Sequence, residues 1–95
     1  MKKIHTKFKG LFVIKGLKFN DSRGHFREIY KAQTVNKINL KFWCMSTSKK
    51  NVLRGLHLQL RNSQDKYISV IKGRIIDVVL DLRPHSSTFG KHFKI

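Results

Sequence analysis

The sequence lacks several features that mark secreted and membrane-spanning proteins. Its 95 residues include one cysteine, Cys44, and one proline, Pro84. A single cysteine excludes an internal disulfide, which is typical of proteins from a reducing compartment. The apolar run near the basic N-terminus, Leu11–Ile14, is too short for a signal peptide. No stretch approaches the ~20 apolar residues of a spanning helix. These absences predict a soluble, cytoplasmic protein without a membrane partner.

Acidic residues are also scarce. Five acids stand against 21 lysines and arginines, which gives a formal net charge of +16. The acids are Asp21, Glu28, Asp65, Asp77 and Asp81. Such an excess attracts anions, among them nucleic acid, an acidic membrane surface or a phosphorylated small molecule. Because the lysines are scattered over the whole chain, solvation and sequence bias are favoured over a dedicated binding stripe.

Short apolar segments separated by turn residues predict an all-β fold in a single domain. The composition, with ten aromatic residues (seven Phe, two Tyr and one Trp), is that of a folded chain. Strands are predicted at Leu11–Phe19 with a break at Gly16, at His25–Lys31, Ile38–Ser46 and Val52–Leu60, in a hairpin over Lys66–Arg83 that turns at Lys72–Gly73, and from Phe89 to Ile95. A turn is predicted at Asn20–Gly24, and a short helix at Lys31–Ile38. This pattern favours a sandwich or barrel.

The segment "RGLHLQ" (Arg54–Gln59) concentrates the polar chemistry. In a flat strand Gly55, His57 and Gln59 project to one face, opposite a row of leucines. Gly55 keeps that face open because it has no side chain. Arg54 is expected to point the other way, unless a glycine-centred twist or bulge brings it beside His57.

His57 does not have the neighbours of a metal ligand. The position two residues later is Gln59 rather than histidine, and the next acid, Asp65, is predicted to lie in a loop. His85 and His92 are far along the chain, without partners at ligand spacing. A three-ligand site is therefore unsupported, and no metal is expected.

A role for His57 as a general base is compatible with its cationic neighbours. A neutral imidazole accepts protons at cell pH, and Arg54 and Lys66 favour that neutral form. The same cations stabilise an enolate formed by removing a proton beside a carbonyl, without any cofactor. From spacing alone, a strand histidine that only forms hydrogen bonds is favoured, and both interpretations stay open at this point.

Four segments occur in the order and at the approximate spacing that are typical of a known family. They are "FNDSRGHFREIY", "SKKNVLRGLHLQ", "KYISVIKGRIIDVVLDLR" and "SSTFGKHF". From about Phe8 to its end the chain resembles the dTDP-4-dehydrorhamnose 3,5-epimerases of deoxysugar biosynthesis. The resemblance implies a cupin-like jelly-roll (a double-stranded β-helix), with residues 1–95 as one truncated domain. It also implies a homodimer that acts in rhamnose and O-antigen lipopolysaccharide biosynthesis.

The resemblance implies cofactor-independent epimerisation at C3 and C5 of dTDP-4-dehydro-6-deoxy-D-glucose, giving dTDP-4-dehydro-L-rhamnose. By the same resemblance, His57 is the base that removes protons next to the 4-keto group. Lys66 and Arg54 stabilise the enolate or hold the sugar nucleotide.

The remaining substrate contacts also follow from the resemblance. Arg23 and Glu28 match family positions that contact the nucleotide, typically across the dimer from the neighbouring subunit. Phe26 lies between them and is expected either to pack at the nucleotide or in the core. Gln59 matches the family's "HxQ" and is expected to help shape the site.

The chain also departs from the family pattern. Phe42 and Cys44 stand where the family usually has glutamine and asparagine, which affects the specificity for nucleotide and sugar. The family continues beyond "TFGKHF" with a tyrosine proton donor and an aspartate that orients the base, and Tyr30 and Tyr67 do not match that donor. The expectation is a fragment or a naturally short member, with exposed strand edges that favour self-association.

Two other functions stay open. One is a catalytically incomplete relic of the same fold that binds sugar nucleotides. The other, less favoured, is a basic β-module that binds nucleic acid, because "KFWCMSTSKK" (Lys41–Lys50) mixes aromatic and cationic residues as a single-strand platform does. Such an aromatic cluster more often belongs to a core.

Overall fold

The computed structural model describes residues 1–36 and 38–95, and its regular secondary structure is entirely β. The strands are β1 (Lys2–His5), β2 (Phe12–Lys15), β3 (Lys18–Asp21), β4 (Gly24–Arg27), β5 (Val78–Leu80) and β6 (His92–Lys94). They form three two-stranded antiparallel sheets, β1–β2, β3–β4 and β5–β6. Within the described ranges no helix is long and apolar enough to cross a membrane.

The first hairpin turns through a compact loop that buries a phenylalanine. Leu11 N donates to Phe8 O at 3.0 Å, and Phe8 N donates to Thr6 Oγ1 at 3.1 Å. Gly10 takes a φ of 88°, a left-handed conformation that glycine adopts at little cost. The loop therefore satisfies its own backbone groups while Phe8 turns inward.

The second hairpin confirms the turn predicted at Asn20–Gly24. Asp21 pairs with Gly24 across a two-residue turn, and Asp21 Oδ1 accepts a hydrogen bond from Arg23 N at 2.9 Å. The predicted break at Gly16 is also confirmed, because β2 ends at Lys15 and β3 begins at Lys18. A Cβ atom at Gly16 would lie 2.1 Å from Glu28 O, so only glycine fits where the two hairpins meet.

The third hairpin joins β5 to the strand predicted near Phe89–Ile95, which is confirmed as β6. Asp77 and Ile95 exchange both backbone hydrogen bonds, at 2.9 and 3.0 Å. Asp81 N donates to Lys91 O, and Gly90 N donates to Asp81 O. The connecting loop is thus tied to the end of the ladder.

The core is small. Phe8 and Val35 are the buried apolar side chains of the described chain, each 2% exposed. The Phe8 and Phe93 ring centroids are 6.2 Å apart, and Arg83 Nη1 donates to Lys9 O at 2.7 Å. These contacts hold the first hairpin against the third.

Four predictions of local structure are wrong. Ile38–Ser46 is not a strand. Val52–Leu60 is not a strand, because no other described segment pairs with it. The hairpin at Lys72–Gly73 does not form, because its second arm pairs with β6 instead. The helix at Lys31–Ile38 is only a turn, in which Val35 N donates to Lys31 O at 3.2 Å, and Lys37 lies outside the described residues.

Candidate functional site

His57 is exposed and lies directly over a glycine. A Cβ atom at Gly55 would come within 3.2 Å of His57 N and 3.3 Å of His57 Nδ1. Gly55 has a φ of 102°, where an L side chain is strained. The missing side chain and the unusual backbone angle together let the imidazole lie close to the main chain. The ring is not enclosed by the leucines of its own segment, which are exposed as well.

Arg54 is directed away from His57. Its Nε donates to Ser48 Oγ at 2.9 Å, and its Nη2 donates to Thr47 O at 3.2 Å. The guanidinium therefore closes the loop that leads into this segment.

Lys66 and Gln59 are exposed, and neither forms a side-chain hydrogen bond or ion pair with residues 1–36 or 38–95. Both side chains are free to meet a ligand. No described hydrogen bond joins His57 to Arg54 or to Lys66, so the expected cluster of base and cations is not assembled by direct contact.

Arg23 and Phe26 both lie on the second hairpin. Together with Asp21, Gly24 and His25 they line a shallow depression of about 260 Å³. Arg23 Nη2 lies 2.7 Å from Asp21 Oδ2, and this partner holds the pKa of the Asp21 carboxyl below its usual value. The Phe26 ring is 68% exposed and lies 6.4 Å from that of Phe19. The depression thus combines an exposed cation with an exposed aromatic face.

Glu28 is engaged by its own chain. Its Oε2 lies 3.0 Å from the Met1 amino group and accepts a hydrogen bond from Leu17 N at 3.2 Å. The amino group, followed by the Leu17 amide, lowers the pKa of Glu28. The carboxylate therefore fastens β1 to the junction between the first two hairpins.

Two hydrogen bonds join the end of β4 and the residues after it to the segment that carries Lys66. Tyr67 Oη donates to Ile29 O, and Arg27 Nη2 donates to Val70 O at 2.9 Å. The earlier residue of one segment thus meets the later residue of the other, so the two segments run antiparallel. The Tyr67 ring packs edge-on against Tyr30, with centroids 5.5 Å apart. We call this pair of hydrogen bonds the 27–70 clasp.

Sequence reasoning missed the buried carboxylate of Asp81. It accepts hydrogen bonds from Arg83 Nε and Nη2, both at 2.8 Å, and from Ser86 Oγ and Thr88 Oγ1, both at 2.6 Å. Arg83, followed by the two hydroxyls, holds the pKa of Asp81 far below its usual range. The spacing of an aspartate, an arginine two residues later and two hydroxyl residues beyond is the signal that identifies such a loop.

The structure therefore groups the candidate residues into two sets. Arg23, Phe26 and Glu28 belong to the second hairpin and its exit, whereas His57 and its neighbours belong to the exposed segment 54–59. Lys66 follows both sets in the chain and directly precedes Tyr67 of the 27–70 clasp. In the described ranges, no three histidine, cysteine or acidic side chains converge as metal ligands.

Comparison with known proteins gives a consistent result. Residues 5–95 match the family model described as dTDP-4-dehydrorhamnose 3,5-epimerase. The dTDP-4-dehydrorhamnose 3,5-epimerase of Salmonella typhimurium is 38% identical over 94 residues, which cover 93% of this chain and 51% of that protein. The enzyme of the same name from Methanothermobacter thermautotrophicus is 36% identical over 92 residues, covering 93% and 50%.

A third relative of the same name, from Escherichia coli K12, is 35% identical over 97 residues, covering 96% of this chain and 52% of that protein. The chain thus spans about half the length of these curated relatives. No solved structure matches it significantly.

Proposed function

Because the chain belongs to the dTDP-4-dehydrorhamnose 3,5-epimerase family, we propose that it acts in the epimerisation of dTDP-4-dehydro-6-deoxy-D-glucose at C3 and C5, on a cupin-like jelly-roll. The family match over residues 5–95 carries this proposal. The exposed imidazole of His57 supports it, since a base must reach a substrate carbon.

His57 is the proposed base. It removes the proton from the carbon next to the 4-keto group, and the electrons of the broken C–H bond move to the keto oxygen. Lys66, whose ammonium has no partner in the described chain, is the proposed donor to that enolate oxygen. A proton delivered from solvent to the opposite face of the carbon completes each inversion, and His57 releases the proton it removed to solvent. No cofactor is needed, because the adjacent ketone alone stabilises the carbanion.

The nucleotide is proposed to bind at the second hairpin. Arg23 is the cation for the pyrophosphate, since guanidinium groups bind phosphate oxygens through paired hydrogen bonds. Phe26 offers an exposed ring at the same depression. Gln59 and Arg54 are proposed to contact the sugar. Because this hairpin and His57 lie in separate sets, we propose a homodimer in which the hairpin of one subunit serves the base of the other.

A catalytically incomplete relic that binds the same nucleotide is the second candidate. Arg54 is already bonded to Thr47 and Ser48, Glu28 to Met1, and Arg23 to Asp21. Three expected substrate contacts are therefore occupied by the chain itself. A relic retains binding and lacks proton removal.

Deuterium exchange distinguishes these two functions. The chain is incubated with dTDP-4-dehydro-6-deoxy-D-glucose in deuterated water, and deuterium at C3 and C5 is measured by NMR. Exchange that His57→Gln abolishes and His85→Gln retains supports the epimerase, because both variants lose one exposed histidine. Binding without exchange supports the relic, and exchange that survives His57→Gln overturns the assigned base.

A single-strand nucleic-acid platform is the third candidate. Phe42 and Trp43 are 67% and 65% exposed and follow Lys41. Stacking of bases on such rings gives salt-dependent binding without sequence preference. Titration with unrelated oligonucleotides at two salt concentrations tests it, and failure to bind at low salt overturns it.

A further inference from the structure

Tyr67 follows the exposed Lys66 and is itself fixed at both ends of its side chain. Its hydroxyl donates to Ile29 O, a residue 38 positions earlier. Its ring packs edge-on against the Tyr30 ring, and Tyr30 in turn packs edge-on against Trp43, with both centroid distances 5.5 Å. Edge-to-face packing of this kind adds stabilisation beyond the area it buries.

Burial, followed by the neighbouring Tyr30, raises the pKa of Tyr67. The phenol is therefore protonated at neutral pH, and its hydroxyl donates a hydrogen bond to the Ile29 carbonyl. It acts as a donor in a fixed position rather than as a group that exchanges protons with a substrate.

The 27–70 clasp links the end of the second hairpin and the residues after it to the segment that directly follows Lys66. Tyr67 and Arg27 bond to backbone carbonyls on opposite segments, and these bonds align the segments antiparallel. No backbone hydrogen bond joins residues 27–30 to residues 67–70 in the described chain. The position of Lys66 relative to the second hairpin therefore depends on these two side chains.

We propose that Tyr67 is a positioning residue for Lys66, and that it sets the lysine ammonium at the sugar nucleotide by fastening residues 66–70 to the segment after β4. This inference rests on the proposed function. Nothing in the chemistry requires Tyr67 to touch the substrate, so its loss is expected to affect the lysine rather than nucleotide recognition.

Two conservative variants isolate the hydroxyl. Tyr67→Phe keeps the ring packed on Tyr30 and removes the donor to Ile29 O. Tyr30→Phe is the matched control, because it also removes one phenol hydroxyl from the same cluster, and the Tyr30 hydroxyl makes no hydrogen bond with the described residues. Fluorescence of Trp43, the only tryptophan, reports whether the cluster is intact in both variants.

The first measurement is the kinetics of the full chain with dTDP-4-dehydro-6-deoxy-D-glucose. Tyr67→Phe is expected to lower the rate of deuterium exchange at C3 and C5 about tenfold or more, because a small displacement of a catalytic group has an effect of that order. Its KM is expected to stay near that of the unchanged protein, as are both parameters of Tyr30→Phe. Equal rates in Tyr67→Phe and the unchanged protein overturn the proposal.

The second measurement does not need turnover. Lys66 is acylated with an amine-specific reagent with and without the bound substrate, and the labelled peptide is quantified by mass spectrometry. Protection of Lys66 is expected in the unchanged chain and in Tyr30→Phe, and is expected to be lost in Tyr67→Phe. Protection that persists in Tyr67→Phe overturns the positioning role.

Different experimental results would overturn the proposed epimerase function and the proposed positioning role of Tyr67. Substrate that protects Lys66 in the unchanged chain but not in Tyr67→Phe, without exchanging deuterium, overturns the epimerase and supports the positioning role. Exchange that depends on His57 but not on Tyr67 overturns the positioning role alone. Absence of any substrate binding overturns both.

Discussion

The carboxylate of Asp81 and the guanidinium of Arg83 form a two-pronged ion pair between residues only two positions apart. Arg83 Nε donates to Asp81 Oδ1 and Arg83 Nη2 donates to Asp81 Oδ2, both at 2.8 Å. The carboxylate is buried, while the arginine is half exposed and reaches Lys9 O with its third nitrogen. One pair of residues thus fixes the β5–β6 loop and its contact with the first hairpin.

This pair predicts a loss of stability in acid. The pKa of Asp81 in the folded chain lies far below its ordinary value of 3.8. A group with a lowered folded pKa contributes stability that is complete above its ordinary pKa and is lost progressively as the pH falls from there towards the folded pKa. The contribution of Asp81 to the free energy of unfolding is therefore expected to be constant between pH 7 and pH 5. Below about pH 5 this contribution is expected to fall. Urea unfolding at a series of pH values measures this.

Two serine variants assign the acid sensitivity to Asp81. Ser86→Ala removes a hydroxyl donor 2.6 Å from the carboxylate, so the pKa of Asp81 rises towards normal and the stability depends less on pH. Ser87→Ala is the matched control, because Ser87 makes no hydrogen bond to Asp81 in the described chain. Identical pH profiles for the two variants contradict this role of the carboxylate.

Like charges face each other in the first hairpin. Lys2 and Lys15 are directly opposite across the β1–β2 ladder, and such pairs destabilise a sheet. Lys15→Glu is expected to raise the free energy of unfolding by about 0.2–1 kcal/mol, because it converts repulsion into attraction. Thermal unfolding at low salt measures the gain.

Lys49→Glu is the control that distinguishes the effect of the Lys2–Lys15 pairing from the effect of the overall net charge. It changes the net charge by the same amount, but Lys49 lies in a loop with no strand partner. The advantage of Lys15→Glu over Lys49→Glu is expected to shrink in high salt, where surface charges are screened. Equal stabilisation by both variants would show that net charge alone matters.

Local turns of this fold are predictable from the sequence, whereas strand partners are not. Asn20–Gly24 and Gly16 carry their own signals, since turn residues and a missing side chain act within a few residues. The second arm of the predicted Lys66–Arg83 hairpin had a plausible neighbour at Tyr67–Ile71, but it pairs with β6. That choice depends on the loop organised by Asp81, and the period-two pattern does not encode it.

Some features of the candidate site are likewise predictable from the sequence, and others are not. The open position at Gly55 is predictable because glycine has no side chain. The predicted alternation does not explain the exposure of His57, because no strand forms there and the leucines of the segment are exposed as well. The direction of Arg54 depends on Thr47 and Ser48, and the anchoring of Tyr67 depends on Ile29. Neither contact follows from the spacing of residues within the motif, because each depends on how separate segments meet.

Phe8 is expected to be the most sensitive apolar residue of the chain. It is 2% exposed and contacts the third hairpin through Phe93. Phe8→Ala is expected to lower the free energy of unfolding by about 3 kcal/mol, the effect of truncating a buried aromatic ring. Phe42→Ala is the control, because that ring is 67% exposed and its loss is expected to change stability by less than about 0.5 kcal/mol. A similar loss in both variants would contradict a core centred on Phe8.

Gly55 is expected to be required for the orientation of His57. In Gly55→Ala the new methyl group meets His57 Nδ1 at 3.3 Å and His57 N at 3.2 Å, closer than most real contacts of a Cβ atom. The ring must move, so the imidazole NMR signals of His57 are expected to shift and deuterium exchange into the substrate to fall about tenfold or more.

Gly73→Ala is the control that distinguishes the contact between residue 55 and His57 from the effect of backbone strain. Gly73 has a φ of 86°, and an added Cβ atom meets nothing within 4 Å. Both substitutions are expected to cost about 1–2 kcal/mol of stability, because an alanine is forced into the left-handed region in each. Only Gly55→Ala is expected to perturb His57 and the exchange reaction. Equal loss of exchange in the two variants would mean that general destabilisation, rather than the packing of the imidazole on residue 55, limits proton removal.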